Sequence, residues 1–337
     1  MKRRAVLEHA IGETRAAVYE GRRLVELHVD RVWVSTPQSG DVYTAKVTSI
    51  DPSVAGAWVD LGDQALPGLL PFAAQRNMPR LTEGQSVEVS VIRSQIGIKG
   101  ATVKFITESG APIGLKTKLS LKERLALKFE GLTFDEASVN AIDEVCERQI
   151  GLPGGGSITL EQTQALLAID VDKGSSVSTA AAANEAAKLI ASQLRLRGLG
   201  GLVVIDFPNL RQPKQRKTLE KTFHAAFESD PAMTKFNALS RFGVIEMTRA
   251  KPDLSLDEVL NDKGGNPSLA TKSLRALRRL TREAKLAPGA KLTLSVSADI
   301  QAWLERAPFD WKADLSDRIG ARYDIKLGET VYVSSDR

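Results

Sequence analysis

Hydrophobic residues form continuous runs in some parts of this chain and alternate with polar residues in others. Residues 202–205 are an unbroken apolar run, which is typical of a buried parallel strand. Residues 178–196 are rich in alanine, with apolar positions at helical spacing, a Ser/Thr cap at the start and Gly198 just beyond the end. An apolar strand ending near Ile169 precedes this helix. The pattern therefore predicts a β-α-β unit in the middle of the chain.

Both strands of this unit end in aspartate. Asp170 and Asp172 are two positions apart, so their side chains share one face if the strand continues through them, and Asp206 follows the second strand. Open α/β sheets place their binding sites at the carboxyl ends of parallel strands. Clustered carboxylates repel each other, and oxygen ligands with retained water suit Mg²⁺. We therefore expect a divalent-ion site, with turn capping as the alternative role of these aspartates.

In the amino-terminal part of the chain, apolar and polar residues alternate with the two-residue period of β-strands. Residues 15–30 alternate around a turn at Glu20 and Gly21, as in a hairpin. From Gly40 onwards, short alternating strands follow one another with breaks such as that at Asp51-Pro52. This spacing predicts a small all-β barrel.

Composition narrows the class of protein. The chain has 337 residues and a net charge of +5, which suits a polyanionic partner without requiring one. Its single cysteine, Cys146, excludes a disulfide framework and a multi-cysteine zinc site, and we expect it to be buried in a helix. The histidines and glycine clusters match no histidine-based nuclease or phosphate-binding loop. Without a membrane-spanning run or a signal peptide, we expect a cytoplasmic protein.

Three segments resemble the catalytic region of the ribonuclease E/G family of bacterial endoribonucleases. They are LPGGGSITLEQTQALLAIDVDKG, QLRLRGLGGLVVIDF and SRFGVIEMTR. The resemblance implies that Asp170 and Asp206 carry a catalytic Mg²⁺, with Mn²⁺ as an alternative, and that Asp172, where the family often has Asn, assists. It also implies cleavage of single-stranded RNA to 5′-phosphate and 3′-hydroxyl ends, without a covalent nucleophile.

The predicted barrel resembles the S1 RNA-binding domain, which has an OB-type fold. The resemblance rests on GDVYTAKV, AWVDLG and GLLP. Trp58 stands where the family presents a phenylalanine, and we expect it to stack on an RNA base, with a place in the barrel core as the alternative. Tyr43, Lys46 and Lys99 are expected along the same face. Leu69 replaces the second aromatic of the family, which implies a smaller stacking surface.

Further RNA contacts are predicted from basic residues that follow the aspartates. They are Arg211, Lys214, Arg241 and Arg249, and the run after Asp206 also contains Arg216 and Lys217. Residues 235–251 are interpreted as one strand, with Phe242 and Met247 in the core. A solvated surface is the alternative for each basic residue. RNA binding, packing and solvation are likewise open for the basic face of a later helix, which comprises Arg275, Arg278, Arg279 and Arg282.

The family's architecture implies an α/β chain, α+β overall, with RNase H-like and DNase I-like catalytic layers, an inserted S1/OB β-barrel and a small C-terminal α/β domain. The segments that flank the barrel are then expected to pack together. The expected divisions are 1–38 (RNase H-like, first part), 39–105 (S1 barrel), 106–156 (RNase H-like, second part), 157–251 (DNase I-like catalytic subdomain), 252–268 (linker) and 269–337 (C-terminal domain).

Two features of the family are missing from the sequence. Residues 106–150 are too short for the family's 5′-monophosphate-sensing subdomain and lack its Arg-Thr pocket, so sensing of the RNA 5′ end is not expected. Residues 252–268 stand where the family has a paired-cysteine zinc link, and without cysteines no zinc is expected. A homodimer is compatible with the sequence, whereas the family's tetramer would lack its zinc link.

The sequence therefore predicts a metal-dependent endoribonuclease with single-stranded RNA as its partner. A non-catalytic S1-type RNA-binding protein that retains the ribonuclease fold is the alternative. An OB-type adaptor in a larger assembly is a third interpretation, in which the acidic residues would be dispensable. The aspartate spacing favours the enzyme, because a pure binding module has no evident need for it.

Overall fold

The computed structural model describes residues 2–62, 65–73, 78–175 and 178–336. Within these ranges the chain forms nineteen β-strands in four sheets, together with seven α-helices. This mixed architecture belongs to the α+β class, as predicted. None of the helices in the same ranges is long and apolar enough to cross a membrane.

The first sheet begins with three antiparallel strands, β1 (Arg3–Ala10), β2 (Glu13–Glu20) and β3 (Arg23–Arg31). The chain turns after β2 at Gly21, which has a left-handed φ of +62°. The predicted hairpin is therefore confirmed. Strand β1 is an addition that the alternation pattern does not predict.

The second sheet closes on itself. Its strands are β4 (Val42–Asp51), β5 (Gly56–Asp60), β6 (Gly68–Pro71), β7 (Ser86–Arg93), β8 (Thr102–Glu108) and β9 (Gly114–Thr117). Strand β4 pairs with both β5 and β7, so the order β5-β6-β8-β7-β4 forms a ring of five strands. Alternate side chains such as Val47, Val59 and Val89 fill its interior. The small all-β barrel predicted from the short alternating strands is therefore present.

Helix α1 (Leu121–Lys128) and strand β10 (Thr133–Glu136) return the chain from the barrel to the first sheet. The helix begins at a capping box in which the Ser120 hydroxyl accepts from the Glu123 N–H and the Glu123 carboxylate accepts from the Ser120 N–H. Strand β10 pairs in parallel with β1, and Leu125 of α1 packs in the same core as that strand. The two segments that flank the barrel thus pack together, as expected.

The segment after β10 differs from its prediction. In these described residues Ala141–Asp143 form one turn of 3-10 helix, and the α-helix predicted around Cys146 is absent. Ile142 is buried and Asp143 is bound by several arginines, and these tertiary contacts fix an irregular path. Cys146 is half-buried, and burial together with nearby Asp257 raises the pKa of its thiol to about 12.

The third sheet contains the predicted β-α-β unit. Its elements are β11 (Gln149–Gly151), β12 (Ser157–Gln162), β13 (Leu167–Asp172), α2 (Thr179–Leu196), β14 (Gly201–Asp206), α3 (Pro213–Phe227), β15 (Thr234–Phe236) and β16 (Val244–Arg249). The strand order is β11-β12-β13-β14-β16-β15, and β13 and β14 are parallel neighbours joined by α2. Ser178 caps α2, and Gly198 follows its end with a φ of +66°. The β-α-β prediction is confirmed.

One face of this sheet is covered by helices α2 and α3. Ile169 and Ile205 are buried there together with the alanines of α2, including Ala183. A side chain of one methyl group lets the helix approach the sheet closely. Strand positions of the opposite parity, including Asp170 and Asp206, are exposed on the other face.

Residues 235–251 form a hairpin, so their prediction as one strand is wrong. Strand β15 ends at Phe236, β16 begins at Val244, and the turn between them is closed by a bond from Gly243 N to Ser240 O at 3.0 Å. Gly243 has a φ of +92°, which residues with a side chain rarely adopt. Gly243 therefore marks the start of β16, whereas the apolar pattern predicts a strand that begins earlier in the chain.

The fourth sheet and its helices form the C-terminal part of the chain. The elements are α4 (Leu256–Leu260), α5 (Leu269–Leu286), β17 (Lys291–Val296), α6 (Ala298–Glu305), α7 (Trp311–Ile319), β18 (Tyr323–Leu327) and β19 (Tyr332–Asp336). Strand β17 lies between β18, with which it is parallel, and β19, with which it is antiparallel. Helix α7 is not predicted by the sequence pattern.

A network of partly buried ion pairs joins helix α5 to the first sheet. Arg278 donates to Glu8 at 2.7 and 2.8 Å and to Asp143 at 2.7 Å. Asp143 also accepts from Arg15 at 3.0 Å. Burial alone would raise the pKa of Glu8, but its hydrogen bonds, first among them those from Arg278, lower it below its usual value. Of the roles left open for the basic face of this helix, Arg278 therefore has a structural one. Arg279 on the same helix is exposed.

We expect Arg278→Ala to lower the free energy of unfolding by about 3 kcal/mol, because it leaves the carboxylates of Glu8 and Asp143 short of a partner in a largely buried site. Arg279→Ala, the control on the same helix, should change it by no more than about 0.5 kcal/mol. Urea unfolding of both variants measures the difference. Equal stabilities would show that the network does not hold α5 in place.

Candidate active site

Two carboxylates stand side by side at the carboxyl ends of parallel strands. Asp170 of β13 is the register partner of Asp206 of β14. Neighbouring strands are about 4.8 Å apart, and parallel strands in register direct paired side chains to the same face. Both residues are exposed, and in the part of the chain that the structure describes neither forms an ion pair with a basic side chain. The site therefore places two uncompensated negative charges next to each other.

Asp172 has a different environment. It lies two residues beyond Asp170 on the same strand face, and its Oδ1 accepts from the Gly174 N–H at 3.0 Å. The segment before β12 packs closely against this turn, because a Cβ on Gly156 would lie 2.3 Å from the backbone oxygen of Asp172. The turn-capping role left open by the sequence is therefore present for Asp172.

The described residues contain no group of three Asp, Glu, His or Cys side chains that could hold a metal ion by themselves. A pair of carboxylates is nevertheless a suitable Mg²⁺ site, because this ion keeps several waters and commonly binds one or two carboxylates together with substrate phosphate. The donor set of Asp170 and Asp206 fits such an ion, with Asp172 positioned by its turn rather than as a third ligand.

The basic residues predicted to contact RNA in this part of the chain fall into two groups. Arg211 and Lys214, which follow β14, are exposed, as is Arg241 in the turn before β16. Arg249 is 7% exposed and holds Asp230 through two bonds of 2.8 and 3.0 Å. The prediction of Arg249 as an RNA contact is therefore wrong, because its guanidinium is occupied by a buried ion pair.

The barrel residues predicted to bind RNA also include exposed and buried side chains. Trp58 is half-buried and lies between the core residues Ala57 and Val59 along β5, so it faces away from the interior, and its indole N–H donates to Asp51 at 3.2 Å. Lys46 and Lys99 are exposed. Tyr43 is only 5% exposed and belongs to the barrel core, so its predicted place on the RNA-facing surface is wrong. Burial raises the pKa of its hydroxyl to about 12.

Phe242 is a residue of this region that the sequence interpretation misplaced. It is 74% exposed at the turn before β16, whereas Met247 is buried as predicted. The flanking Ser240 and Gly243 are turn-forming residues, and they are the signal in the sequence that could have indicated exposure. The guanidinium of Arg241 lies over the phenyl ring, 4.7 Å from its centre.

Comparison with known proteins identifies the segment that carries the carboxylates. Residues 114–252 match the model of the ribonuclease E/G family. Ribonuclease E of Escherichia coli K12 is 40% identical over 124 residues, which are 35% of this chain and 12% of that protein. Ribonuclease G of the same organism is 34% identical over 128 residues, or 36% of this chain and 26% of that protein. Residues 114–252 are therefore a segment of the ribonuclease E/G type.

A longer alignment includes most of the chain. Ribonuclease E of Buchnera aphidicola from Acyrthosiphon pisum is 24% identical over 400 residues, covering 77% of this chain and 44% of that protein. The chain therefore aligns with less than half the length of each of these three relatives. Asp170 and Asp206 lie within the segment matched by the family model.

Arg249→Ala should lower the free energy of unfolding by about 4 kcal/mol, because it leaves Asp230 buried and unpaired. Arg241→Ala should change the free energy of unfolding by no more than about 0.5 kcal/mol, since the side chain is exposed. Thermal and urea unfolding of the two variants provide the comparison. A stable, well-folded Arg249→Ala protein would contradict the structural role assigned to this arginine.

Proposed function

We propose that this chain is a metal-dependent endoribonuclease that hydrolyses phosphodiester bonds in single-stranded RNA and leaves 5′-phosphate and 3′-hydroxyl ends. The observation that carries the proposal is the register pair of Asp170 and Asp206 within the segment matched by the ribonuclease E/G family. The names of the relatives, ribonuclease E and ribonuclease G, support the same activity.

In this proposal each side chain at the site has a defined part. Asp170 and Asp206 hold Mg²⁺ or Mn²⁺ through carboxylate oxygens, while Asp172 fixes the turn that follows β13. The chemistry that such an ion supplies is activation of water and stabilisation of negative charge on phosphate oxygens. Arg211, Lys214 and Arg241 contact the RNA backbone, where exposed guanidinium and ammonium groups position the strand.

The barrel supplies the preference for single strands. An S1-type, OB-fold surface binds RNA by stacking bases on exposed aromatics and by tracking the backbone with cations. Trp58 faces outward on β5 beside Leu69 of β6, its register partner, and Lys46 is exposed on the adjacent β4. We assign Trp58 to base stacking and Lys46 and Lys99 to the phosphates. The apolar partner at Leu69 can add contact area but offers no ring.

Asp170→Asn and Asp206→Asn should each lower RNA cleavage on the order of 10³-fold, because loss of a metal ligand removes several kcal/mol of transition-state stabilisation. Asp172→Asn keeps an oxygen acceptor for the Gly174 N–H, so a smaller loss is expected. Glu161→Gln removes an exposed carboxylate from the same face of the sheet and is the matched control. Cleavage of a 5′-labelled, A/U-rich single-stranded RNA with Mg²⁺, Mn²⁺ or EDTA measures these effects.

RNA binding is measured separately in EDTA. Retained binding with lost cleavage in Asp206→Asn would support the metal site. Tight binding by the unaltered protein without any cleavage under either metal would overturn the enzyme and leave a non-catalytic RNA-binding protein with the ribonuclease fold.

Trp58→Ala should weaken binding to single-stranded RNA by about 5- to 100-fold, which is the range for removal of one base-stacking aromatic. Tyr43→Phe, a change within the barrel core, should leave the affinity unchanged. Fluorescence anisotropy at fixed salt compares the two, since phosphate contacts make affinity depend on ionic strength. Equal affinities for both variants would remove Trp58 from the RNA-binding surface.

A further inference from the structure

An exposed aromatic residue stands at the edge of the sheet that carries the two carboxylates. Phe242 is 74% exposed, and single exposed hydrophobic residues are common in proteins. Its location, its support by the backbone and its cationic neighbour are what distinguish it.

The location follows from strand pairing. Val244 is the register partner of Asp206, and Phe207 N donates to Gly243 O at 3.1 Å. Phe242 therefore precedes Val244 by two residues at the carboxyl end of β14. This is the edge at which Asp170 and Asp206 lie.

The turn that presents Phe242 is fixed by several hydrogen bonds. The Ser240 hydroxyl accepts from Phe242 N at 3.3 Å and from Val244 N at 3.1 Å. Arg216 of α3 donates to Leu239 O at 3.0 Å and to Ser240 O at 2.6 Å. A Cβ on Gly243 would lie 2.8 Å from the backbone oxygen of Phe207, so the turn also fits closely against β14. A turn whose backbone is held in this way loses little conformational entropy when its side chain binds a ligand.

Arg241 gives the turn a positive charge. Its guanidinium lies 4.7 Å from the centre of the Phe242 ring, and no carboxylate lies within ion-pair distance of it in the described ranges of the chain. An aromatic face beside a guanidinium suits a nucleotide, because the ring can stack on a base while the cation contacts phosphate. A purely apolar partner would leave the guanidinium unused.

We propose that Phe242 and Arg241 form a stacking platform for the base of the nucleotide next to the scissile phosphate. This proposal rests on the proposed function, since it requires RNA at Asp170 and Asp206. Stacking accepts any base, so the platform would position the strand rather than read its sequence. Phe242 is thus a positioning residue that acts on the substrate beside the site of chemistry.

The test combines protein and RNA variants. Phe242→Ala should lower kcat/KM for an RNA with one defined cleavage site by about 5- to 100-fold. RNAs with an abasic nucleotide at each position near that site are then cleaved by both proteins. At the position that stacks on Phe242, the abasic RNA should be cut equally slowly by the two proteins, because the same interaction is already lost. Phe242→Tyr should restore cleavage, whereas Phe242→Leu should not.

The controls separate this proposal from the proposed function. Tyr332→Ala removes another exposed aromatic, 54% exposed in the C-terminal sheet, and should cleave as the unaltered protein does. If the unaltered protein cleaves, Asp206→Asn does not, and Phe242→Ala cleaves normally, the platform is overturned while the nuclease remains. The platform is also overturned if, at every abasic position, Phe242→Ala lowers kcat/KM by the same factor as it does on the intact RNA. If the unaltered protein does not cleave RNA at all, both proposals fail.

Discussion

The parallel register of β13 and β14 is the constraint on which the site depends. A slip of one residue between these strands would separate Asp170 from Asp206 and turn one of them towards the core. The register is held from the other face of the sheet, where Ile169 and Ile205 are paired and buried under the alanines of α2. Hydrophobic packing on one side of the sheet therefore fixes the spacing of charges on the other, and the repulsion between those charges is tolerable because both are solvated.

Some of the basic residues are buried in ion pairs that stabilise the fold, and others are exposed at the surface. Arg195, Arg249 and Arg278 are buried, and each forms hydrogen-bonded ion pairs with Asp or Glu. The pairs of Arg195 and Arg278 join helices to strands that are distant in sequence. All three pairs contribute little positive potential, because their charge is locally neutralised. The exposed residues Arg211 and Lys214 keep their charge available near the carboxylates. A net charge of +5 does not distinguish the two groups.

The sequence predicts the β-α-β unit well because its determinants are local. An apolar run, a serine cap and a terminal glycine each act within a few residues, and together they place Asp170 beside Asp206. Tyr43 and Arg249 are mispredicted for the opposite reason. Whether Tyr43 faces into the barrel depends on ring closure and on the irregular register within β4. The burial of Arg249 is compensated by an ion pair with Asp230 and a hydrogen bond to the Leu199 carbonyl, partners that lie 19 and 50 residues away in the sequence. Phe242 shows that an apolar residue in a strand-like pattern can belong to a turn when serine and glycine flank it.

A buried carboxylate ties together the two ends of the segment that forms the barrel. Asp41, 1% exposed, accepts from Gln38 N at 3.0 Å where the chain arrives and from Leu119 N at 3.0 Å where it leaves. Both ends of the insertion are thus tied to the same side chain, and strands β1 and β10 pair without any contribution from the barrel. The fold inside the barrel is thus topologically independent of the register of the first sheet, because the chain leaves that sheet and returns to it at the same side chain.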